Sequence, residues 1–440
     1  MKVCLIGEVF VDVSLRTKQT QTKMRLGGIV HAARALWAME IPYSVGYFAP
    51  SYLDRHIESY LNAHDCEEII KLGNVDGAPN VFLIEEVKEV ANQGYTLILG
   101  DEATYDYNES AFEKLRQISF SDGLLFAGNF DISISAWKLS IEKLHVDVTN
   151  RISSVDDLER ITTKISTLFV STSSPLFKNT FKNNFEDFSS LFQKYCDQLV
   201  LKENRGGSRA IDYGSGTTAI AASQTRPIVH SVGVGDVYNV AYIVRIQQLS
   251  QNLAMTYSSW VAAEYASTTY PDDFKTNVAR INNSQISELK ALGGVYIPWE
   301  SRKAINVYIA APDFNFVDTS PIDEVANSLE YHNFSPRRPI KENGQMEENA
   351  DKTRRQQIFS TDMVLLDSCQ ILVAVLIYND PGTLIEIGLA SARGLPVFVY
   401  DPFSIANNCM LTELPDLVSS DLDELIAEIF IATSKLQNIE

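Results

Sequence analysis

A short stretch near the C-terminus, 380–386, has carboxylates at a spacing suited to nucleophilic chemistry. It follows the apolar run 371–378, which has the length and Val/Ile content of a buried parallel strand. Asp380-Pro-Gly382 ends this strand, and we expect Thr383 to cap the helix that follows. Glu386 would then lie in the first turn, where the helix dipole favours an ionised carboxylate beside the ligand-binding edge of a sheet. The residue is a candidate nucleophile, although position alone favours the interpretation that it is an acid that only stabilises a helix start.

A second stretch, 232–236, reads Val-Gly-Val-Gly-Asp and opens a helix that continues to Gln248. Two glycines free backbone N–H groups to cradle an anion at a helix N-terminus. Asp236 would stand where a general base takes a proton from a hydroxyl. Without other context, the same letters also describe a short glycine-rich turn.

The whole chain sets limits on the class of protein. Its 440 residues predict two to three domains, and its 45% hydrophobic content is normal for folded cores. A net charge of −19 argues against nucleic acid or an anionic membrane as the main partner. Five scattered cysteines form no CxxC pair, so neither a zinc site nor a disulfide framework is indicated, and a reducing cytoplasm fits best. No window approaches the roughly 18 apolar residues of a membrane span.

The first 290 residues alternate between predicted strands and helices. A strand begins at Val3, Gly27-Gly28 precedes a helix, and 81–87 with 95–99 predicts a hairpin-like excursion. The polar stretch 16–23 suggests exposed strands or a flap. Further predicted helices cover 110–117, 133–143, 155–164 and 185–196. This alternation predicts a largely parallel sheet covered by helices.

Glycines and Pro298 mark a boundary near 289–302, after which a fresh strand begins. A helix over 356–367 would deliver Asp362 to the crevice, 395–400 is expected to be the last strand, and a helix over 416–436 would close the chain. The intervening stretch 335–355 carries six Lys or Arg residues in an acidic chain. It is either a solvated loop with ion pairs to nearby glutamates or an entry loop whose Arg337 and Arg338 bind a nucleotide 5′-phosphate.

Four motifs in the second half occur in order. They are Tyr308-Ile-Ala-Ala-Pro312, Asp362, Asp380-x-Gly382-Thr383-x-x-Glu386-x-Gly388 and Asn408-Cys409-Met410. On these motifs, 304–440 resembles the nucleoside 2-deoxyribosyltransferases.

The resemblance implies that Glu386 attacks the anomeric carbon and holds a covalent glycosyl intermediate. Asp380 and Asp362 would handle protons on the sugar hydroxyl and the base. Tyr308 would orient the nucleophile, Gly382 and Thr383 would bind substrate, and no cofactor is implied. Asn408 would touch sugar, in the family across a subunit boundary, so a homo-oligomer is expected.

The first 290 residues resemble the PfkB family of sugar and nucleoside kinases. The matching parts are Gly7 to Asp12, Gly27-Gly28, Lys202-x-x-x-Gly206-Gly207 and Gly233-Val-Gly235-Asp236. The resemblance implies that Asp236 is the base, that the amides of Gly233, Val234 and Gly235 form an anion hole, and that Asp12, Gly27 and Gly28 bind a hydroxylated substrate. ATP and Mg²⁺ would be the cofactors.

This chain departs from the PfkB pattern in three ways. His230-Ser231 stands ahead of the Gly-x-Gly-Asp motif, where Asp is often found. His31 or Ala32 stands where an Asn is usual, and 171–177 lacks the carboxylate that helps to position Mg²⁺. A kinase fold retained as a binding, regulatory or oligomerising module is therefore the alternative to an active kinase.

We expect two tandem three-layer α/β domains: a ribokinase-like domain over 1–290, a linker over 291–303, and a flavodoxin-like deoxyribosyltransferase-type domain over 304–440. The expected function is cleavage of the N-glycosidic bond of a (deoxy)nucleoside or its monophosphate, with the sugar passed to a base or to water. One alternative adds phosphorylation of a sugar or nucleoside by ATP, and another is a nucleotide sensor with slow turnover. The expected partner is a small molecule, without nucleic acid, membrane or a bound metal.

Overall fold

The computed structural model describes residues 1–16, 21–133, 141–347 and 349–437. The chain divides into two compact units. Unit 1 comprises Met1–Lys88 and Gln93–Tyr296, and unit 2 comprises Glu89–Asn92 and Ile297–Glu440.

Unit 1 is organised around one large, mostly parallel sheet. Its strands are β1 (Val3–Ser14), β2 (Lys23–Gly28), β3 (Tyr43–Ala49), β4 (Glu68–Asp76), β5 (Val81–Ile84), β6 (Tyr95–Leu97), β7 (Thr104–Tyr107), β8 (Phe120–Phe126), β9 (Ile141–Asp147), β10 (Ile165–Ser171), β11 (Cys196–Lys202), β12 (Ser208–Asp212) and β13 (Thr217–Ala221). The main path runs β13-β12-β11-β10-β9-β8-β1-β3-β4-β7. The strands from β11 to β4 along this path are parallel, and antiparallel strands close both edges.

The helices of unit 1 follow the strands in the order that the sequence alternation predicts. They are α1 (Val30–Ala38), α2 (Asp54–Ala63), α3 (Glu109–Arg116), α4 (Pro175–Thr180), α5 (Phe185–Ser190), α6 (Val234–Ile246), α7 (Gln251–Ala266), α8 (Pro271–Asn282) and α9 (Ile286–Ala291), with short 3₁₀ turns at Ser51–Leu53, Gly100–Glu102, Asp156–Arg160 and Asn204–Gly206. Helices α1, α6, α7 and α8 contribute buried side chains to one hydrophobic cluster with β1 and β3. Burial of this apolar surface is the main force that holds the helices on the sheet.

The second half of β1 carries a small additional sheet. Residues 9–14 pair with β2 in antiparallel register, and residues 11–14 pair with β5 in parallel register. Strands β5 and β6 pair as the hairpin-like excursion that the sequence predicts. The first half of β1 therefore lies in the central sheet, and its second half pairs with the strands of this outlying layer.

Unit 2 contains a five-stranded, fully parallel sheet. Its strands are β14 (Asn306–Ala310), β15 (Ser335–Arg337), β16 (Ile371–Val375), β17 (Val397–Tyr400) and β18 (Leu417–Ser419), in the order β15-β14-β16-β17-β18. Its helices are α10 (Trp299–Arg302), α11 (Ser320–Tyr331), α12 (Pro339–Asn343), α13 (Lys352–Asp367), α14 (Pro381–Ala392), α15 (Cys409–Glu413) and α16 (Leu422–Gln437). In order of appearance the sheet reads 2-1-3-4-5, the flavodoxin-like order, which confirms the predicted topology. The switch point lies between β14 and β16, whose ends flank a crevice in such folds.

Several element predictions were wrong. Strand 395–400 is not the last strand, because β18 follows it within the segment expected to begin the closing helix. The helix expected over 155–164 is a short 3₁₀ turn, and the one over 185–196 ends at Ser190. Residues 141–143, expected in a helix, begin β9, while most of the predicted helix 133–143 and the middle of stretch 16–23 lie outside the described residues. Short elements like these are determined by tertiary pairing more than by local propensity.

Within the described part of the chain, no helix is long and apolar enough to cross a membrane.

Candidate active sites

Asp380 begins the helix that carries the candidate nucleophile of unit 2. It is the N-cap of α14, and its Oδ2 accepts hydrogen bonds from the Thr383 backbone N (2.7 Å) and Oγ1 (3.0 Å). Pro381 follows at the first helical position, where its missing N–H costs nothing. The expectation that Thr383 caps the helix was therefore wrong, and Glu386 lies in the second turn.

Glu386 and Tyr308 form the centre of this site. Tyr308 lies on β14, and its hydroxyl donates a 2.6 Å hydrogen bond to Oε1 of Glu386 on α14. Burial raises the pKa of Glu386 to about 7, with smaller contributions from Asp362 and Asp380. The Tyr308 hydrogen bond acts in the opposite direction and favours the carboxylate. The helix dipole has little effect on Glu386, because the residue lies beyond the first turn. Burial therefore outweighs the stabilisation of the charged form that the sequence led us to expect.

Asp362 lies close enough to Glu386 to influence its charge. It is on α13, and its Oδ1 accepts a 2.8 Å hydrogen bond from Nδ2 of Asn343. Burial raises the pKa of Asp362, and the Asn343 hydrogen bond opposes that rise. Two carboxyl groups with raised pKa values beside one tyrosine are the kind of groups that nucleophilic attack and proton transfer would need.

The two arginines predicted to bind a phosphate are engaged by carboxylates. Arg337 forms a two-pronged pair with Glu342, with its shortest contact at 2.6 Å. Arg338 pairs with Asp313 (2.8 and 2.9 Å) and with Asp323 (2.6 Å). Their stretch is also not one long loop, because it contains β15, α12 and the start of α13. A phosphate would have to compete with these pairs.

The remaining predicted residues of this site differ in their exposure. Asn408 is exposed and caps α15 by accepting from the Met410 backbone N at 2.9 Å. Gly382 is exposed, and a Cβ at Gly388 would meet open space. Thr383 is buried and engaged with Asp380. The structure therefore brings together Tyr308, Glu386 and the two aspartates in the same unit.

Unit 1 has its own pocket at the carboxyl ends of β1, β8 and β9 and at the N-terminus of α6. Asp12 and Gly28 line it, and a Cβ at Gly27 would overlap the Asp12 carboxylate. Gly28 has a φ of +67° and lies against the Glu8 carbonyl. The double glycine is therefore required by the close approach of β2 to β1.

His31 fills the place where the PfkB resemblance predicts an asparagine. Its Nε2 lies 3.2 Å from Oδ2 of Asp12, and its Nδ1 lies 2.6 Å from the Tyr265 hydroxyl. Burial lowers the pKa of His31, so the neutral ring with the proton on Nε2 satisfies both partners, with Tyr265 donating to Nδ1. Asp12 is thereby held in place by a buried three-residue chain.

Asp236 lies in the first turn of α6, next to the predicted anion hole of Gly233, Val234 and Gly235. Gly233 caps the helix with a φ of +79°, so the helix amides open toward the pocket. Burial raises the pKa of Asp236 to about 8, and Asp147 adds to the rise. Nearby Lys202 opposes it.

Lys202 is held next to the predicted anion hole by three acceptors. Its Nζ lies 2.9 Å from Oδ2 of Asp147, 2.9 Å from Oδ1 of Asn239 and 3.5 Å from the Gly235 carbonyl. Asn239 also donates to Asp147. This cluster joins β9, β11 and α6 at the point where the pocket meets the helix.

The residues of unit 1 fit Mg²⁺ poorly. After β10, where the resemblance predicts a carboxylate, Ser171 and Ser173 share a 2.8 Å hydrogen bond and Ser174 caps α4. Asp147 is engaged by Lys202, and the described residues contain no group of three or more potential metal ligands. Mg²⁺ prefers carboxylate oxygens together with substrate phosphates and water, and the segment after β10 supplies no carboxylate for it.

Sequence reasoning missed Glu8 as a pocket residue. It is buried, lines the pocket together with Asp12, and accepts from the Tyr105 hydroxyl (2.5 Å) and the Asn129 backbone N (2.9 Å). The signal was available, because Glu8, Phe10 and Asp12 alternate along β1 and must face the same side.

Residues 307–413 match the family model of the nucleoside 2-deoxyribosyltransferases. No curated protein matches the chain. Among solved structures, similarity is found to phosphofructokinase-2 from Escherichia coli in complex with fructose-6-phosphate (14% identity, 64% of this chain and 98% of that one, TM-score 0.47). Arabidopsis thaliana ribokinase complexed with ribose and ATP is 14% identical, with 64% of this chain and 99% of that one covered and a TM-score of 0.47. The nucleoside kinase of Methanocaldococcus jannaschii is 12% identical, with 64% of this chain and 98% of that one covered and a TM-score of 0.44.

Proposed function

We propose that unit 2 cleaves the N-glycosidic bond of a (deoxy)nucleoside or its monophosphate through Glu386. An oxygen of Glu386 attacks C1′, the C1′–N bond breaks, and the base leaves with the bonding electrons and a proton from Asp362. Water or a second base then attacks C1′, the ester bond to Glu386 breaks, and the incoming group's proton passes to Asp362. The carboxylate is regenerated and the sugar is transferred.

The hydrogen bond between Tyr308 and Oε1 of Glu386 is the observation that carries this proposal. It fixes the orientation of the carboxylate, while Oε2 has no partner among the described residues. The family match over 307–413 supports the same reaction class. A positioned, half-buried carboxylate with a pKa of about 7 is substantially ionised near neutral pH.

The direct test is release of free base from a panel of nucleosides and their 5′-monophosphates, followed by chromatography. We expect Glu386→Ala to lose base release by about a thousandfold or more, since a nucleophile has been removed. Asp367→Asn is the matched control, because Asp367 forms an exposed ion pair with Arg393 in the same unit. Full activity of Glu386→Ala would overturn the proposal.

A second test traps the intermediate. An arabinonucleoside with fluorine at C2′ slows steps with oxocarbenium character, so the glycosyl ester should accumulate. Intact-protein mass spectrometry should then show one added glycosyl group on the wild type and none on Glu386→Gln. Peptide mapping should locate that group at Glu386.

The preference for a nucleotide over a nucleoside rests on Arg337 and Arg338. A 5′-phosphate would replace Glu342 or Asp313 as the partner of an arginine, which is favourable because guanidinium binds phosphate in a two-pronged manner. Comparable turnover of a nucleoside and its monophosphate would remove this part of the proposal.

We also propose that the chain forms a homo-oligomer through unit 2. Helices α13, α14 and α15 pack on one core cluster, yet Val364, Ile385 and Met410 are each more than 60% exposed. Large exposed apolar side chains on neighbouring helices commonly mark a protein interface. Ile385→Asp should shift the mass measured by light scattering toward that of the monomer. If the wild type itself has the mass of a monomer, oligomerisation is refuted.

A second candidate function is phosphorylation of a hydroxylated acceptor by ATP in unit 1. The acceptor oxygen attacks the γ-phosphorus, its proton passes to Asp236, and the bond to the ADP oxygen breaks. The amides of Gly233, Val234 and Gly235 stabilise the transferred charge. The open helix N-terminus at Gly233 and the adjacent Asp236 favour this candidate.

The kinase candidate is tested by ATP consumption that depends on an added sugar or nucleoside. Asp236→Asn should abolish this ATP consumption, whereas Asp106→Asn, a change at an exposed position, should not. Absence of such consumption across a broad acceptor panel would eliminate the candidate and leave unit 1 as a binding module.

A further inference from the structure

Three alternate residues of β1 line the pocket of unit 1 described above. Glu8, Phe10 and Asp12 project to the same side of the strand, and all three contact the cavity. Four residues of extended chain span about 13 Å, which is longer than one sugar ring. The cavity encloses about 250 Å³, far more than the ~30 Å³ that one water occupies. The 13 Å run of lining positions along β1 therefore suits a ligand of two joined parts.

Aromatic side chains form the middle of this pocket. Phe10 and Phe82 meet edge to face with centroids 4.6 Å apart, and Tyr95 lies 6.2 Å from Phe82. Phe82 lies beside Asp12 in the pairing of β5 with β1, and Tyr95 lies on the paired strand β6. Backbone pairing thus holds these rings in place, and aromatic faces are general platforms for a planar heterocycle.

Each end of the pocket is polar in a different way. Asp12, Gly233, Gly235 and Asp236 line one end, where phosphoryl transfer would need an acceptor hydroxyl. At the other end stand Glu8 and Arg151. An acceptor and a donor side by side can pair with the N–H and carbonyl or ring-nitrogen groups on the edge of a base.

The charge of the lining excludes one class of ligand. Glu8, Asp12 and Asp236 supply three carboxyl groups, and Arg151 is the single basic side chain other than histidine among the residues that line this pocket. A phosphorylated sugar would bring two negative charges to a lining with one arginine, and taking those charges out of water with so few basic partners costs free energy. The pocket therefore suits a neutral ligand.

We infer that unit 1 binds an unphosphorylated nucleoside, with its sugar hydroxyls at Asp12 and Asp236 and its base on Phe10, Phe82 and Tyr95 reaching Glu8. A free pentose or hexose would leave the aromatic half of the pocket unfilled and would not reach Glu8. This inference deepens the second candidate function by naming its acceptor, and as a binding statement it holds whether or not phosphoryl transfer occurs. Both units would then handle the same class of molecule.

The test is calorimetry on the full chain carrying Glu386→Gln, which prevents cleavage in unit 2. The titrants are adenosine, guanosine, uridine, ribose, ribose 5-phosphate and uridine 5′-monophosphate. We expect at least one nucleoside to bind about tenfold or more tightly than ribose and ribose 5-phosphate, because stacking on a base adds roughly that factor. Equal affinity for ribose or its phosphate would overturn the inference.

Variants assign the binding to unit 1. Phe82→Ala should weaken nucleoside binding about tenfold, whereas Leu83→Ala, on the same strand but absent from the lining, should not. Tyr95→Ala, a change at a 38% exposed position, provides a second test if Phe82→Ala fails to fold. Unchanged affinity in folded Phe82→Ala or Tyr95→Ala would overturn the inference.

Failure of this inference is distinguishable from failure of either proposed activity. Loss of nucleoside binding with Phe82→Ala, while Glu386-dependent base release persists in the otherwise wild-type chain, concerns unit 1 alone. Binding without ATP consumption would retain the nucleoside assignment and remove only the kinase step.

Discussion

The imidazole of His31 occupies the space that a side chain at Gly233 would need. A Cβ at Gly233 would overlap the ring, while the same ring hydrogen-bonds Asp12 at 3.2 Å. One histidine thus fixes the distance between a predicted acceptor-binding carboxylate and the predicted anion hole. Both predicted parts of the kinase candidate depend on this packing.

Gly233→Ala should therefore be more destabilising than backbone conformation alone requires. Gly293 has the same φ of +79° but nothing within 4 Å of its Cβ position, so Gly293→Ala isolates the backbone term, about 1–2 kcal/mol. We expect Gly233→Ala to lower the free energy of unfolding by at least about 1 kcal/mol more, because His31 must move. Urea denaturation of both variants measures the difference, and equal losses would refute the steric account.

Tyr308→Phe should shift the pH dependence of base release. The hydroxyl favours the ionised form of Glu386, so its loss raises the Glu386 pKa above about 7 and moves the acid limb of kcat/KM to higher pH. At pH 6 we expect a loss of about tenfold or more that becomes smaller as the pH rises. A uniform loss at all pH values would instead indicate a purely structural role.

Asp380→Asn and Asp380→Ala separate capping from proton transfer. Asparagine still accepts from the Thr383 N–H, so Asp380→Asn should keep the stability of the protein, whereas Asp380→Ala should lower it by about 1 kcal/mol. If Asp380 also handles protons, both variants lose base release. If Asp380→Asn keeps full activity, capping is its whole contribution.

The pH dependence of stability should differ between two glutamates of unit 2. The pKa of Glu386 is raised in the folded state, so its proton stabilises the fold at low pH and that stability is lost as the pH rises through about 7. Glu386→Gln should therefore melt higher than the wild type at pH 8 and about equally at pH 4.

The stability contributed by Glu342 should change with pH in the opposite direction. Arg337 lowers its pKa, so its contribution is present at neutral pH and is lost as the pH falls below its unfolded value. Glu342→Gln should melt lower than the wild type at pH 8. Differential scanning fluorimetry of both variants from pH 4 to 8 checks the pair, and shifts of the same sign would contradict it.

The sequence was sufficient for the parallel topology of unit 2 and for the placement of Glu386 near Tyr308. Apolar runs such as 371–378 mark buried strands, and ordered motifs at their ends must meet at one sheet edge. It was not sufficient for β18, whose three residues form a strand only because β17 lies beside them. It did not reveal the raised pKa of Glu386, because burial depends on the packing of distant segments.

In unit 1 the importance of the glycines could be predicted from the sequence, but the side chains that require them could not. Gly27 makes room for Asp12, and Gly233 makes room for His31, so both respond to residues outside their own local motif. The alternation along β1 was enough to predict that Glu8 faces the pocket, but its partners Tyr105 and Asn129, about a hundred residues away, could not be predicted. Contacts of that range are the part of a site that local patterns do not encode.

Unit 2 is discontinuous along the chain, since Glu89–Asn92 belong to it while the strands on either side, β5 and β6, belong to unit 1. Within unit 2, the Val90 carbonyl accepts from Oγ of Ser328 at 2.6 Å. Expression of 297–440 by itself would thus leave that serine hydroxyl facing water, and expression of 1–296 would carry a stranded tetrapeptide. The two halves are therefore not interchangeable modules, and no single cut in the gene yields both of them whole.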